Sequence, residues 1–298
     1  MMDGSDYAAA KRKHENTVDL SSVKQELEAL REHGVVYFRD GGDAFGVGKA
    51  ARAFAEEYGI EYATPVFAIH KKGRYGWIVG RAYETIADFR QRILEAKEER
   101  ADFIKLIVSG IITFQNYGEL SCPSLPAEEI RELIHIVHEE GFSVMIHVNG
   151  AEAIRACVEA GADSIEHGYF ADEETLACIA EHDTIWVPTL AATQAFVGRE
   201  GFDEAVSSRT VEGQIRAIRY VTDLCRQRQM VSQREPSPLA PARWCIAAGS
   251  DSGAVGVPHG AGAEQEYSLL AQAGLNTDMI ENANMALREK FRVRRHLF

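Results

Sequence analysis

Four polar residues interrupt or end apolar runs, and together their types could do chemistry. Lys105 lies inside "ADFIKLIVSG", His147 inside "SVMIHVNG", His167 at the end of "DSIEH" and Asp251 in "GSDSG". A lysine inside a buried strand must either reach water or do something there. Imidazoles bind metals or move protons, and a carboxylate can act as a base. Each residue also has an ordinary role. A strand-end histidine is more often a hydrogen-bonded structural group than a ligand. A strand lysine can snorkel, and an aspartate after Gly-Ser can cap a helix or make a turn. Lys, His, His and Asp on four strands in that order are hard to read as four accidents. All four fall at or near strand C-terminal ends, where parallel barrels gather their active sites.

The elements that must position them are short apolar runs alternating with amphipathic segments. Strands are expected at 35–40, 64–69, 103–109, 143–148, 163–167, 184–189 and 244–250. The clearest helix is "LPAEEIRELIHIVHEEG", where Ile130, Leu133, Ile134 and Val137 recur at helical spacing, Pro126 and two glutamates mark the start, and Gly141 marks the stop. This alternation implies a parallel sheet. Seven strands are one short of a (β/α)8 barrel, and the helix "DLSSVKQELEALREHG" has no strand before it. A doubly wound open sheet is the alternative, but "RDGGDAFGVG" lacks the G-x-G-x-x-G spacing. Alternation puts His147 on one face with Met145 and Asn149, and His167 on one face with Ile165. Residues 226–243, polar and with three of the eight prolines, are expected to be an irregular loop within one barrel domain spanning 1–298.

The bulk numbers narrow the setting. The 298 residues carry a formal charge of -13, which argues against nucleic acid or an anionic membrane as partner. Five scattered cysteines with no C-x-x-C pair suit a reducing cytoplasm better than a disulfide framework. No apolar run approaches the ~20 residues of a membrane span, and the start lacks a signal-peptide core. The expectation is a cytoplasmic protein; homo-oligomerisation stays open.

The chain resembles the amidohydrolase superfamily, close to its imidazolonepropionase-like and Xaa-Pro-dipeptidase-like members. The resemblance runs from "VVYFRDGGD" through "DFIKLIVSG", "HEEGFSVMIHVNGAEAIRACVEAGADSIEHG" and "WVPTL" to "GSDSGAVGVPHG". It implies a TIM-like (β/α)8 barrel of the metal-dependent hydrolase type. It implies that Lys105 is carbamylated and bridges metals, that His147 and His167 hold the buried metal, and that Asp251 is both a ligand and the general base. The implied cofactor is Zn2+, as one or two divalent ions. The implied reaction is hydrolysis of an amide or peptide-like C–N bond in a small amide or dipeptide-like substrate. A carbamate is an anionic oxygen donor where an ammonium cannot bind a cation, and two imidazoles with oxygen donors suit zinc.

One departure accompanies the match. The family opens with a His-x-His motif on its first barrel strand, and this sequence contains none. Missing motif and missing strand are one deficit. Three expectations follow: the chain is a fragment or a mis-started reading frame, it is a degenerate and catalytically impaired homologue keeping at most one metal site, or another segment closes the barrel. The first is favoured. His70 and Tyr75 in "FAIHKKGRYGW", together with Asn149 and His259, are candidate substrate contacts. Arg39 and Asp40 are expected to support the site from a strand end. His135 and His138 are read as helix-surface residues.

Overall fold

The computed structural model describes residues 6–234 and 243–292. Helix α1 (Tyr7–His14) precedes α2 (Leu20–Glu32), which starts where the Asp19 carboxylate accepts the amides of Ser21 and Ser22, donors with no partner inside the helix. Then come β1 (Tyr37–Arg39), α3 (Val47–Phe54), β2 (Glu61–Ala63), β3 (Ala68–Lys71), β4 (Gly80–Tyr83) and α4 (Ile86–Glu98), the last opened by a capping box between Thr85 and Asp88. Strict strand–helix alternation follows in β5 (Ile104–Ile107), α5 (Ala127–Glu139), β6 (Val144–Val148), α6 (Ala151–Glu159), β7 (Ser164–His167), α7 (Glu173–Glu181) and β8 (Ile185–Val187). The described chain ends with α8 (Leu190–Gln194), α9 (Glu204–Arg234), α10 (Ala261–Gln272) and α11 (Thr277–Arg292).

All paired strands are parallel, in a six-stranded sheet of order β4-β3-β5-β6-β7-β8 and a pair β1-β2. Residues 64–67 join β2 to β3, and Thr64 exchanges backbone and side-chain bonds with Asp102 just before β5. The wall therefore runs on from β1 to β8. Ile246 extends it by one bridge to Trp186.

Three sequence expectations need correction. The 64–69 window straddles the break between β2 and β3, where Val66 has φ of 67°. Strands β2 and β4 were not expected, and 244–250 supplies a bridge rather than a strand. Residues 226–234 continue α9 instead of forming an irregular loop; residues 235–242 lie outside the described residues.

Alternation sorts the side chains into two layers. Ile104, Leu106, Val144, Ile146, Val148 and Ile165 face outward into the main core with α4–α7. Ala63, Phe103, Met145, Ile185, Val187 and Ala247 face inward and pack with Ala283, Leu287 and Phe291 of α11. Among the described residues no strand pairs between β1 and residues 244–250. Helix α11 reaches both sides of that gap. Asn284 Oδ1 accepts the Ala248 amide at 2.9 Å, while Arg288 and Arg292 pair with Glu61 of β2. The Arg288 guanidinium lies 5.4 Å from the Tyr37 ring centroid on β1. These side-chain contacts of α11 span the gap without adding a strand to it.

Candidate active site

Adjacent strands bring Lys105, His147 and Glu166 to the inner face. The register pairs Lys105 with Met145, Ile107 with His147, and His147 with Glu166. Lys105 is 6% exposed, and among the described residues it makes no hydrogen bond and no ion pair within 4 Å. Burial lowers its pKa to about 8, with Glu166 and Asp251 opposing. About a tenth of the amine is therefore neutral at pH 7.

The two imidazoles meet edge to face, with ring centroids 4.6 Å apart. His147 contacts the Gly110 carbonyl through Nε2 at 3.3 Å, which leaves Nδ1. His167 Nδ1 sits 2.7 Å from Thr189 Oγ1, which leaves Nε2. Burial holds His147 well below the usual histidine range, helped by His167 and Lys105. Burial, with Lys105 adding, lowers His167 to about 3. Both rings are neutral at pH 7, the form that ligates a cation.

His167 does not follow the alternation expected of it. Ile165 faces the outer core, Ser164 and Glu166 face Arg39 inside, and His167 enters the cavity because its backbone turns to φ of 69°. Gly168 (φ 68°) follows, where a Cβ would come 2.5 Å from Trp186 Nε1. Trp186 Nε1 and Gln214 Nε2 both donate to the His167 carbonyl, at 2.9 and 2.5 Å. Thr189 is also left-handed, at φ of 53°, an unfavourable place for a β-branched residue. The buried Glu266 carboxylate holds the turn by accepting the Leu190 and Ala191 amides at 3.1 and 2.7 Å. Burial pushes that carboxyl up to about 8.

Asp251, at φ of 56°, presents its carboxylate to the same cavity. Its exposed surface faces that cavity, and the protein packed around it raises its pKa, with Lys105 opposing. Below these groups Arg39 donates to Ser164 Oγ (2.7 Å) and Glu166 Oε1 (3.0 Å) and stacks 4.3 Å from the Phe291 centroid. Asp40 accepts the hydroxyls of Tyr62 and Thr64 at 2.8 and 2.9 Å. The cavity holds about 1430 Å³.

Among the described residues no three His, Cys, Asp or Glu side chains are grouped to hold a metal. The donor chemistry suited to one divalent ion consists of the two imidazole nitrogens without a partner, His147 Nδ1 and His167 Nε2, and Lys105 only if it is converted to an oxygen donor.

Residues 22–295 match the family model described as the amidohydrolase family. The chain belongs to that family. This amidohydrolase-family chain is 27% identical over 193 residues to an uncharacterised protein of Mycobacterium tuberculosis, covering 62% of this chain and 48% of that protein. It thus spans about half the length of that relative. A Xaa-Pro dipeptidase with methionine bound in its active site superposes with a TM-score of 0.68 at 19% identity, covering 91% of this chain and 68% of that one. Aspergillus niger ochratoxinase superposes with a TM-score of 0.68 at 17% identity, covering 93% and 67%. The shared fold is an α/β barrel of the TIM type.

Of the residues the sequence singles out, Lys105, His147, His167, Asp251, Tyr75 and Asn149 line this amidohydrolase cavity. The Tyr75 ring lies 5.2 Å from that of His147. Asn149 is fully engaged, donating to Gly110 O and accepting the Tyr169 amide. Two residues expected as substrate contacts lie outside the described lining. His70 lies outside the lining, buried with Nδ1 on the Lys71 carbonyl, because Gly76 of the overlying loop packs against its Cβ. His259 also lies outside, paired with Glu26 of α2 at 2.9 Å and facing Phe38. Histidine type alone does not say where the side chain points. Sequence reasoning missed Glu166, Thr189, Gln214 and Glu266. Glu166 lies next to His167 in "DSIEH" and Thr189 lies inside "WVPTL", both stretches already in view, whereas Gln214 and Glu266 carry no such signal.

Proposed function

We propose that the chain hydrolyses an amide or peptide-like C–N bond of a small molecule, with Zn2+ as its ion and the cytoplasm as its setting. What supports this most is Lys105: a buried, partnerless amine inside β5, beside two imidazoles held neutral and a carboxylate. His147 Nδ1, His167 Nε2 and a carbamate on Lys105 would hold one ion, with Asp251 beside it. When bound, such an ion lowers the pKa of water to roughly 7 and polarises the scissile carbonyl. Asp251 then takes a proton from the attacking water and passes it to the leaving nitrogen. Thr189 holds the His167 ring, and Asn149 fixes the loops around His147. The Arg39–Glu166 pair keeps the floor beneath Lys105 close to charge balance.

The test is metal analysis of the purified chain combined with Asp251→Asn. The expected result is about one equivalent of metal and loss of hydrolysis with an unchanged melting temperature. Unchanged activity in Asp251→Asn would remove the base from the scheme. A second reading, an impaired homologue that keeps only the cavity, draws support from the lack of a third conventional ligand among the described residues. Zero metal together with zero turnover would favour it.

A further inference from the structure

Above the candidate site the cavity wall turns aromatic. Phe114 comes from the loop after β5, Phe196 from just beyond α8, and Phe202 from the segment before α9. Phe114 and Phe196 stack at 4.8 Å between centroids, and Phe202 meets them edge-on at 6.1 and 4.7 Å. Phe202 stays 36% exposed, and the same cavity is lined by Trp77 at 68% and Ile111 at 39% exposed. A single exposed apolar side chain needs no explanation. Several around one cavity mark a surface kept for an apolar ligand group.

The charges of the wall point the same way. Among its described residues, seven are Asp or Glu, of which burial keeps Glu266 protonated near pH 7, and three are Lys or Arg. Each of the three cations already has a partner or a task, although Arg288 keeps its buried Nε unpartnered. Arg39 is held by Glu166, Arg288 by Glu61, and Lys105 is the proposed metal ligand. A free carboxylate entering here would meet excess negative charge and lose its hydration without a partner.

Resting on the hydrolase reading above, we propose that the site takes amides with an apolar aromatic group and no carboxylate, N-aryl amides in preference to free dipeptides. The aryl group lies against Phe114, Phe196 and Phe202, with Trp77 across the mouth, and the C–N bond faces Asp251. Phe202 and Trp77 are then specificity determinants.

Two matched pairs of compounds test this on the purified full chain. Benzoylglycine anilide and its 4-carboxyanilide are compared as substrates. Benzenesulfonanilide and its 4-carboxylate, which contain no acyl C–N bond, are compared as binding probes by calorimetry. The expected result is a preference on the order of 10-fold or more for the uncharged member of each pair. Phe202→Ala and Trp77→Ala should each weaken binding of the uncharged probe on the order of 10-fold, with an unchanged melting temperature. Equal or stronger binding of the carboxylates, or binding indifferent to both substitutions, overturns the proposal. Its failure and that of the hydrolase reading are distinguishable. Preferential probe binding without turnover of any amide sinks the hydrolase reading alone, and turnover of dipeptides without aromatic preference sinks this proposal alone.

Discussion

Replacing Lys105 with methionine should make the metal-free protein more stable while ending hydrolysis. Methionine fills a similar volume and stands in for the neutral amine. The buried lysine has a pKa of about 8 against 10.5 in the unfolded chain, with burial as the main cause. A base with a lowered pKa costs stability wherever the unfolded state holds the extra proton. The cost is absent well above pH 10.5, grows as pH falls, and is complete below pH 8. Each unit of pKa is worth about 1.4 kcal/mol. Lys105→Met should therefore gain roughly 3 kcal/mol at pH 7 and under about 1 kcal/mol at pH 10. Glu166 and Asp251 lose a cationic neighbour, but their attraction is already contained in the net shift. The assay is urea unfolding of both proteins, stripped of metal, in CO2-free buffer at the two pH values. A difference that is independent of pH, or a less stable variant at pH 7, would refute an unmodified, partnerless amine at this position.

Glu266 gives the opposite sign on the acid side. Its carboxyl is raised from 4.5 to about 8, so the native state should lose up to roughly 4–5 kcal/mol as pH climbs through that window, and Glu266→Gln should flatten the slope; an unchanged slope in pH-dependent melting would remove Glu266 as its source. Zinc affinity at fixed bicarbonate should rise from pH 6 to 8 as Lys105 becomes neutral and then level off, because His167 at about 3 has already lost its proton; a break near 6.5 in zinc titrations would count against neutral rings. Phe291→Ala should cost about 3–5 kcal/mol, because Phe291 is 2% exposed and lies against Phe103 and the Arg39 guanidinium; chemical denaturation measures it, and a cost under about 1 kcal/mol would show that α11 is weakly seated.

Much of the site is legible because β5 and β6 obey strict alternation. Lys105 and His147 sit at inward positions whose neighbours in sequence, Ile104, Leu106, Ile146 and Val148, are the outward core. His167 reaches the same place by a different route, a left-handed turn that breaks the period of two, so pattern finds the residue and assigns it the wrong face. Strands β2 and β4 escape because "EYA" and "GRAY" are three and four residues long and partly polar. Residues 226–234 look irregular because they are polar, yet packing along the preceding turns carries the helix through them. Glu266 was out of reach, since its partners lie 75 and 76 residues away and backbone amides leave no mark on composition.

The clasp made by α11 has a kinetic consequence. Its grip on β2 joins Glu61 to Arg292 across 231 residues, so the ring is fastened only when nearly all of the described chain is available. Closing a loop of that length costs about 5 kcal/mol of chain entropy, before Arg288, Arg292 and Phe291 return anything. Until then β1 and residues 244–250 each present one edge without a strand beside it, the kind of edge that recruits another chain. Refolding should accordingly be slow and sensitive to protein concentration, and deletions entering α11 should precipitate while leaving every residue of the candidate site in place.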